Sequence, residues 1–206
     1  MIRYTVKTNF NNVPAFRAKV GIALDKGVAA AALELKGEIQ RGFGKGARLT
    51  ASAPGTPPNV QRGQLRASIR AIPQANHTAL VGSFGLPYGR IHEFGGTIVA
   101  GGKMLKVPVN ASAKRASELG DNLPAVVIKR PGKPPILMGT DGSRRASRTF
   151  GFTRSDLPVW ILTPVVRIPP RPYIRPAALR ARPAMLKAFN VASTAAMQQA
   201  FVGAKR

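Results

Sequence analysis

The stretch PAFRAKVGIALDKGVAAAALELKGEIQR, residues 14–41, decides the fold prediction because it is the longest run with one consistent period. Apolar side chains recur along it at helical spacing, and two acids four residues apart lie on the outer face. Asn11, Asn12 and Pro14 supply start signals and glycines follow Arg41, so a helix over about 14–41 is predicted. Its apolar stripe consists of Val20, Leu24, Val28, Ala31, Leu35 and Ile39, with Glu34 and Glu38 outside it.

Shorter elements are predicted on both sides of this helix. Alternation of apolar and polar residues predicts a strand over 2–7, and further apolar runs predict strands over 65–72, 78–83, 104–109 and 160–168. Residues 73–76 predict the turn between the second and third strands, because they hold Pro and Asn.

Two other segments are predicted to pack on the sheet. Residues 88–96 predict a turn, or one helical turn, that places Tyr88, Ile91 and Phe94 against the strands. A second helix is predicted from about Pro176 or Pro183 to Val202. One side of that helix carries Leu186, Phe189, Ser193, Met197 and Ala200.

Together these elements predict a single α+β domain over residues 1–206, with the N-terminal and C-terminal helices packed on one face of an antiparallel sheet. Residues 110–157 predict a long extended loop or insertion, because Pro and Gly are frequent there and only 125–129 has the composition of a strand. The part from about 130 to 156 is expected to be mobile in the free protein and ordered on assembly. This segment holds the cluster Arg144, Arg145 and Arg148.

The charge balance indicates an anionic partner. The chain has 32 Lys and Arg against 8 Asp and Glu, a formal net charge of +24 at pH 7. Such a chain repels copies of itself unless an anion lies nearby; nucleic acid fits best, and an acidic protein is the alternative. Aromatic residues make up 6% and are not interleaved with the arginines, so stacking on unpaired bases is not expected. Attraction to backbone phosphates remains.

Several classes of protein and site are excluded or disfavoured. The absence of cysteine excludes disulfides, thiolate zinc sites and a cysteine nucleophile. No run approaches the ~18 apolar residues of a membrane helix, and the N-terminus lacks a signal-peptide core, so we expect a soluble protein made inside the cell, with no membrane partner.

The candidate catalytic and metal-binding motifs favour structural interpretations. GFGKGAR at 42–48 has the glycines of a phosphate loop, but a helix precedes it and Gly46 follows Lys45, so we interpret it as a helix end. His92 and Glu93 are adjacent but lack further ligands, and we predict a structural hydrogen-bond pair there. No nucleophile, base and orienting group occur together, so we expect no enzymatic activity, no cofactor and no metal.

Three other segments form an ordered set: PPNVQRGQLRASIR at 57–70, VGSFGLPYGRIHEFGG at 81–96 and PPRPYIRPAALRA at 169–181. In order and spacing they resemble a family of small tailed-phage proteins that includes the phage virion morphogenesis group, and whose members are neck or tail-completion proteins at the head–tail junction. Tyr173 stands where the family usually has Phe. Many small members lack the segment at 110–157 or have a shorter one, whereas the virion morphogenesis group tends to carry extra sequence there. The likeness is carried by Gly63, Leu65, Arg66, Ser68 and Ile69, by Val81, Gly82, Tyr88, His92, Glu93, Phe94 and Gly95, and by Arg171, Pro172, Tyr173 and Pro176.

The resemblance implies a structural virion protein. It implies a homo-oligomeric ring, expected to be hexameric, that completes the tail, joins it to the DNA-filled head and surrounds the channel for double-stranded DNA. It also implies assembly in the cytoplasm of a bacterial host, beside head-closure or connector proteins and tail terminator or tail-tube proteins. Residues 171–176 would form a rigid corner that aims the last helix. Arg144, Arg145 and Arg148 become candidate contacts to DNA or to a partner.

Two other interpretations remain open at this point. One is a free nucleic-acid-binding protein without sequence preference, such as a nucleoid or ribosomal component. The other is an enzyme, for example a nuclease, for which the sequence offers no site.

Overall fold

The computed structural model describes residues 13–46, 50–119, 125–139 and 157–202. The chain divides into two compact units, each built from separate segments. The first, here the helical unit, comprises Met1–Gly44, Arg62–Gly89 and Pro172–Arg206, and the second, the sheet unit, comprises Lys45–Gln61 and Arg90–Arg171. Neither unit is one contiguous stretch of chain, and the expectation of a single domain over 1–206 stays a prediction. The predicted strand over 2–7 lies outside the described residues.

The described secondary structure alternates between helices and short strands. The helices are α1 Val13–Arg41, α2 Gln64–Ala67, α3 Tyr88–Phe94, α4 Ala111–Leu119 and α5 Ile174–Val202. The strands are β1 Ile69–Gln74, β2 Thr78–Ser83, β3 Gly96–Val99, β4 Leu105–Pro108, β5 Ala125–Arg130, β6 Lys133–Gly139, β7 Val159–Thr163 and β8 Val165–Ile168.

In the helical unit, α1 packs against α5 and against the β1–β2 hairpin. The two long helices meet through small residues, because Ala23, Gly27 and Ala32 of α1 are buried, as are Ala177, Ala181 and Ala196 of α5. A Cβ atom added at Gly27 would lie 2.7 Å from the Phe189 ring, so only glycine allows this approach. Large apolar residues remain exposed on the outer sides of the pair: Val13, Phe16, Ile22 and Leu33 in α1, and Leu179, Leu186 and Val191 in α5.

This packing corrects part of the predicted apolar stripes. The predicted α1 stripe lies on the sheltered side of the helix: Ile39 is fully buried and the other five members are half-buried. The other buried positions of α1 belong to small residues, Ala23, Gly27 and Ala32. Leu186, predicted for the packed side of α5, is 59% exposed. Pro183 lies inside α5, which begins earlier, at Ile174.

The β1–β2 hairpin matches the predicted strand pair, with a shifted turn. The antiparallel register runs from Ile69 opposite Ser83 to Gln74 opposite Thr78, so Pro73 belongs to the strand and not to the turn. The turn uses left-handed backbone at Asn76, φ 58°, and at His77, φ 55°. The predicted strand start at 65 is also wrong, since Leu65 lies in α2.

The sheet unit contains a β3–β8 pair and a four-stranded antiparallel sheet in the order β4–β7–β6–β5. Helix α4 packs on β4 and β7, where Ala113, Ala116 and Trp160 form a buried cluster. Asn110 caps α4, because its Oδ1 accepts hydrogen bonds from the Ala113 N–H at 2.9 Å and the Val159 N–H at 3.2 Å. This amide therefore ties the start of α4 to the start of β7.

The structure corrects two predictions in this unit. The predicted loop over 110–157 contains α4 and β6 as well as β5, which lies where the composition of 125–129 allowed a strand. Residues 120–124 and 140–156 lie outside the described part of the chain. The predicted strand over 160–168 is two strands in different sheets, separated at Pro164.

The predicted fold class is confirmed: the protein is α+β, with a long N-terminal helix, a C-terminal helix and antiparallel sheets. The described strands form three separate sheets rather than one, and α5 packs on α1.

Candidate functional site

The family-like segments meet in the interior of the helical unit. The Ser68 hydroxyl donates to the Leu65 carbonyl at 2.7 Å and lies 2.8 Å from the Ser83 hydroxyl. Because a serine has one hydroxyl proton, Ser83 is the donor to Ser68. The Ser68 carbonyl also accepts the Phe84 N–H at 3.1 Å. The end of the first segment is thereby fastened to the beginning of the second.

Tyr173, from the third segment, completes this cluster. It is 2% exposed, its hydroxyl donates to the Gly89 carbonyl at 3.1 Å, and its ring centroid lies 5.2 Å from that of Phe43. A Cβ at Gly89 would lie 2.7 Å from the Ser83 hydroxyl, so the site requires glycine. The hydroxyl that distinguishes Tyr173 from the usual Phe of the family has a specific partner. We call Ser68, Ser83, Gly89 and Tyr173 the motif cluster.

The second and third segments also meet inside the sheet unit. The Arg171 N–H donates to the His92 carbonyl at 2.7 Å, and Arg171 Nε donates to the Ser52 carbonyl at 3.0 Å. Gly95 has φ 71°, and a Cβ there would lie 2.9 Å from the Pro170 nitrogen. The arginine and the glycine therefore hold the Pro-rich corner against the end of α3.

His92 and Glu93 are both sheltered from solvent, and Glu93 is only 8% exposed. Burial, and then the nearby Arg171 charge, lowers the pKa of the His92 imidazole, which favours a neutral ring at pH 7. The predicted hydrogen bond between these two side chains stays a prediction.

The remaining family-like residues have structural or exposed positions. Gly63 takes φ 75° at the start of α2, and Ile69 is buried at the start of β1. Tyr88 donates to Gln64 Oε1 at 3.3 Å. Pro176 lies in the first turn of α5, where its missing N–H would have no helical acceptor. Leu65 and Pro172 are half-buried, and Arg66 is exposed.

One predicted packing role is wrong. Phe94, expected to pack against the sheet, is 74% exposed. In α3 the buried position beside it belongs to Glu93. Arg144, Arg145 and Arg148 lie outside the described residues.

The acids of the described helical unit are each paired with a neighbour. The Glu34 carboxylate accepts a hydrogen bond from Arg41 at 3.0 Å, and the Glu38 carboxylate accepts one from Arg180 at 3.0 Å. The Asp25 carboxylate lies 2.8 Å from His77 Nδ1. The bases outnumber these acids, and Arg62, Arg66 and Arg70 are exposed along 62–70. The surface of this unit is therefore basic with no described acid left over to neutralise it.

The motif cluster offers hydroxyls and carbonyls that bond to one another, and its one ionisable group, the Tyr173 phenol, donates a hydrogen bond to the Gly89 carbonyl. Among the described residues no group of three or more His, Cys, Asp or Glu could hold a metal ion. The described helices include none long and apolar enough to cross a membrane. Sequence reasoning missed Ser83, Gly89, Ser52 and Asn110; only Asn110, before Ala-Ser-Ala, carried a local signal, that of a helix cap.

The chain was compared with protein-family models, curated proteins and solved structures, and none of the three comparisons gives a match.

Proposed function

We propose that this chain is a structural protein of a tailed phage, which forms a ring at the head–tail interface, completes the tail and surrounds the DNA channel. The observation that carries the proposal is the motif cluster. Residues from the three family-like segments bond to each other through buried hydroxyls and carbonyls. Motif residues of an enzyme converge instead on acid–base groups in an open cleft. Residues of the motif cluster instead pack the interior of the helical unit, which is what a structural protein requires.

The distribution of charge supports a duplex in the channel. The described acids of the helical unit are paired internally, and Arg62, Arg66 and Arg70 are exposed. Exposed arginines attract phosphates of any sequence, which suits DNA that must slide past. A net charge of +24 on each copy also opposes assembly unless DNA or acidic neighbours are present.

Exposed apolar side chains on the long helices support contacts between copies. About half or more of the surface of four large apolar side chains is exposed: Phe16 (49%), Ile22 (56%) and Leu33 (60%) in α1, and Leu186 (59%) in α5. Contacts between copies would cover such side chains.

Deletion of the gene from the phage that encodes it tests the proposal. DNA-filled heads and separate tails should accumulate, and expression of the wild-type chain in the host should restore joined particles. Normal joined virions without this protein would contradict the proposal.

A second candidate is a free nucleic-acid-binding protein without sequence preference, which the exposed row Arg62, Arg66 and Arg70 also favours. It predicts that a monomer binds short duplex DNA strongly. Negative-stain microscopy of the purified protein, alone and with duplex DNA, separates the two candidates, because only the ring protein forms closed rings.

A further inference from the structure

The four-stranded sheet has two unlike faces. Trp160 of β7 lies in register with Leu137 of β6 and Pro108 of β4, and these side chains point to the face that α4 covers. Because side chains alternate along a strand, the residues one position away point to the opposite face. That opposite face is mainly apolar, with Thr163 beside Leu105 as a polar member. Its apolar residues are Leu105, Val107, Val126, Ile128, Ile136, Met138, Val159 and Ile161. We call these eight residues the open sheet face.

Val126 is 51% exposed and the other seven residues are half-buried. The helix of the described sheet unit that packs on this sheet is α4, and it packs on the Trp160 side. Four strands about 4.8 Å apart, with about five residues each, give a face of roughly 19 by 16 Å, or about 300 Å². A partly exposed apolar face of that size equals the smallest of the patches that are the largest on a typical monomer, and such patches are often functional.

One end of this sheet is basic. Antiparallel pairing brings the start of β4, the end of β5 and the start of β6 to the same end of the sheet. Lys103 lies just before β4, Lys129 and Arg130 end β5, and Lys133 begins β6. The Arg130 guanidinium donates to the Pro134 carbonyl at 2.8 Å, so it is held at this end. The described acids of the unit, Glu93 and Glu118, lie on helices and not on the sheet.

We propose that the open sheet face binds an amphipathic segment of a different protein chain, apolar where it covers the sheet and acidic where it passes the basic end. The charges select against a second copy of this chain, since a copy has 8 acids against 32 bases and brings the same basic end. A DNA duplex offers no apolar stripe with which to cover the face. The area, well below the ~800 Å² per partner of a standard interface, fits one helix or strand of the partner.

This inference goes beyond the proposed ring, because it rests on the sheet and its charges alone. It assigns to the sheet unit an apolar surface that binds protein, in contrast to the exposed arginines that attract phosphates. The partner supplies acidic groups, of which the chain has 8 against 32 bases.

Two neighbouring residues offer a matched test. Val126 and Val127 lie on the same strand and are each 51% exposed, but Val126 belongs to the open sheet face and Val127 points to the other face. Val126→Glu and Val127→Glu therefore add the same charge at almost the same place and differ in the face they alter. Circular dichroism should show both variants folded; if Val126→Glu does not fold, Val126→Ser and Val127→Ser replace the pair.

The probe is a labelled synthetic helix of roughly 14 residues, about 20 Å long, with a leucine stripe and glutamates on its other side. Its binding to the full chain is followed by fluorescence anisotropy. We expect the wild type to bind it, Val126→Glu to weaken the affinity about tenfold or more, and Val127→Glu to change it less than about twofold. The same peptide with lysines in place of glutamates should not bind. Lys129→Glu combined with Lys133→Glu should weaken binding and reduce its salt dependence.

Four results would overturn the proposal. The first is that the acidic peptide does not bind, and the second is that Val126→Glu and Val127→Glu lose the same amount of affinity for it. The third is that the lysine peptide binds as tightly as the acidic one. The fourth is that Val126→Glu lowers the oligomeric mass of the chain and leaves the affinity for the peptide unchanged. The last result would assign the face to a second copy. A chain that binds the peptide but forms no rings would contradict the proposed function and leave this inference intact.

Discussion

Replacing Tyr173 by Phe isolates one hydroxyl in the motif cluster. The Tyr173 ring is 2% exposed and contacts Phe43, and Phe preserves that packing. The variant removes the hydroxyl that donates to the Gly89 carbonyl, 3.1 Å away. Tyr88→Phe is the matched control, because the Tyr88 hydroxyl makes a longer bond of 3.3 Å to Gln64 in an exposed setting.

The expected magnitude follows from burial. A buried acceptor that loses its donor costs about 1–3 kcal/mol. Gly89 lies in α3, so its carbonyl also takes part in the helical hydrogen bonds, and we expect the low end, about 1 kcal/mol. For a chain of this size that corresponds to a melting temperature lower by roughly 2–4 °C. Tyr88→Phe should change stability by less than about 0.5 kcal/mol. Tyr173→Ala, which also removes the ring, should cost about 3–5 kcal/mol.

The assay is urea unfolding of the three variants and the wild type, followed in two ways. Far-UV circular dichroism follows mainly α1 and α5, and the fluorescence of Trp160, the single tryptophan, follows the sheet unit. Coincident transitions justify a single free energy of unfolding. Equal costs for Tyr173→Phe and Tyr88→Phe would refute the reasoning, because the buried bond would then contribute no more than the exposed one.

Three further predictions concern packing, pH and DNA. Gly27→Ala should destabilise by about 1–3 kcal/mol because its Cβ meets the Phe189 ring, whereas Gly37→Ala, whose Cβ meets the flexible end of Arg41, should stabilise by about 0.5–1 kcal/mol; thermal melts that rank them otherwise contradict the helix contact. The hydrogen bond from Arg180, and then that from Arg41, lowers the pKa of Glu38 below 4.5. The ionised carboxylate therefore stabilises the fold above pH 4.5, and this contribution is lost as the pH falls through the lowered pKa of the folded state. Glu38→Gln should flatten the pH dependence of the free energy of unfolding over that window, and an unchanged profile counts against the ion pair. Duplex DNA should bind without sequence preference, and a plot of log affinity against log salt concentration should have a slope of about −0.9 per phosphate neutralised. Replacing Arg144, Arg145 and Arg148 together by Glu should reduce infectivity and change the free energy of unfolding by less than about 0.5 kcal/mol. Unchanged infectivity would show that these arginines do not contact the DNA.

Local pattern was enough to predict the elements with strong periodicity. Helix α1 and the β1–β2 pair occur where their spacing predicted them, with bounds shifted by a few residues. The apolar side of α1 was also predictable, but the close contact with α5 was not, because it depends on the space that Gly27 leaves and not on apolar area.

Proline content misled the prediction for 110–157. Pro134 and Pro135 lie at the start of β6, where pairing with β7 begins only at Ile136, so the missing N–H groups leave that ladder intact. Pro164 has the opposite effect, since it lies between β7 and β8 and the chain changes sheet there. A proline's position in the ladder, which a single sequence does not reveal, decides between these outcomes.

The candidate site was predictable as segments but not as contacts. The family-like stretches identified Ser68 and Tyr173, yet their partners Ser83 and Gly89 carry no local signal, because those bonds join residues distant in sequence. Phe94 shows the converse: an aromatic residue in a family-like motif was expected inside and is exposed.

The most direct test of the central proposal is an electron-microscopy reconstruction of the virion at the junction of head and tail. The proposal predicts a closed ring of copies of this chain around the DNA channel, with α1, α5 and the four-stranded sheet recognisable in each copy. A virion whose junction is complete without this chain would contradict it.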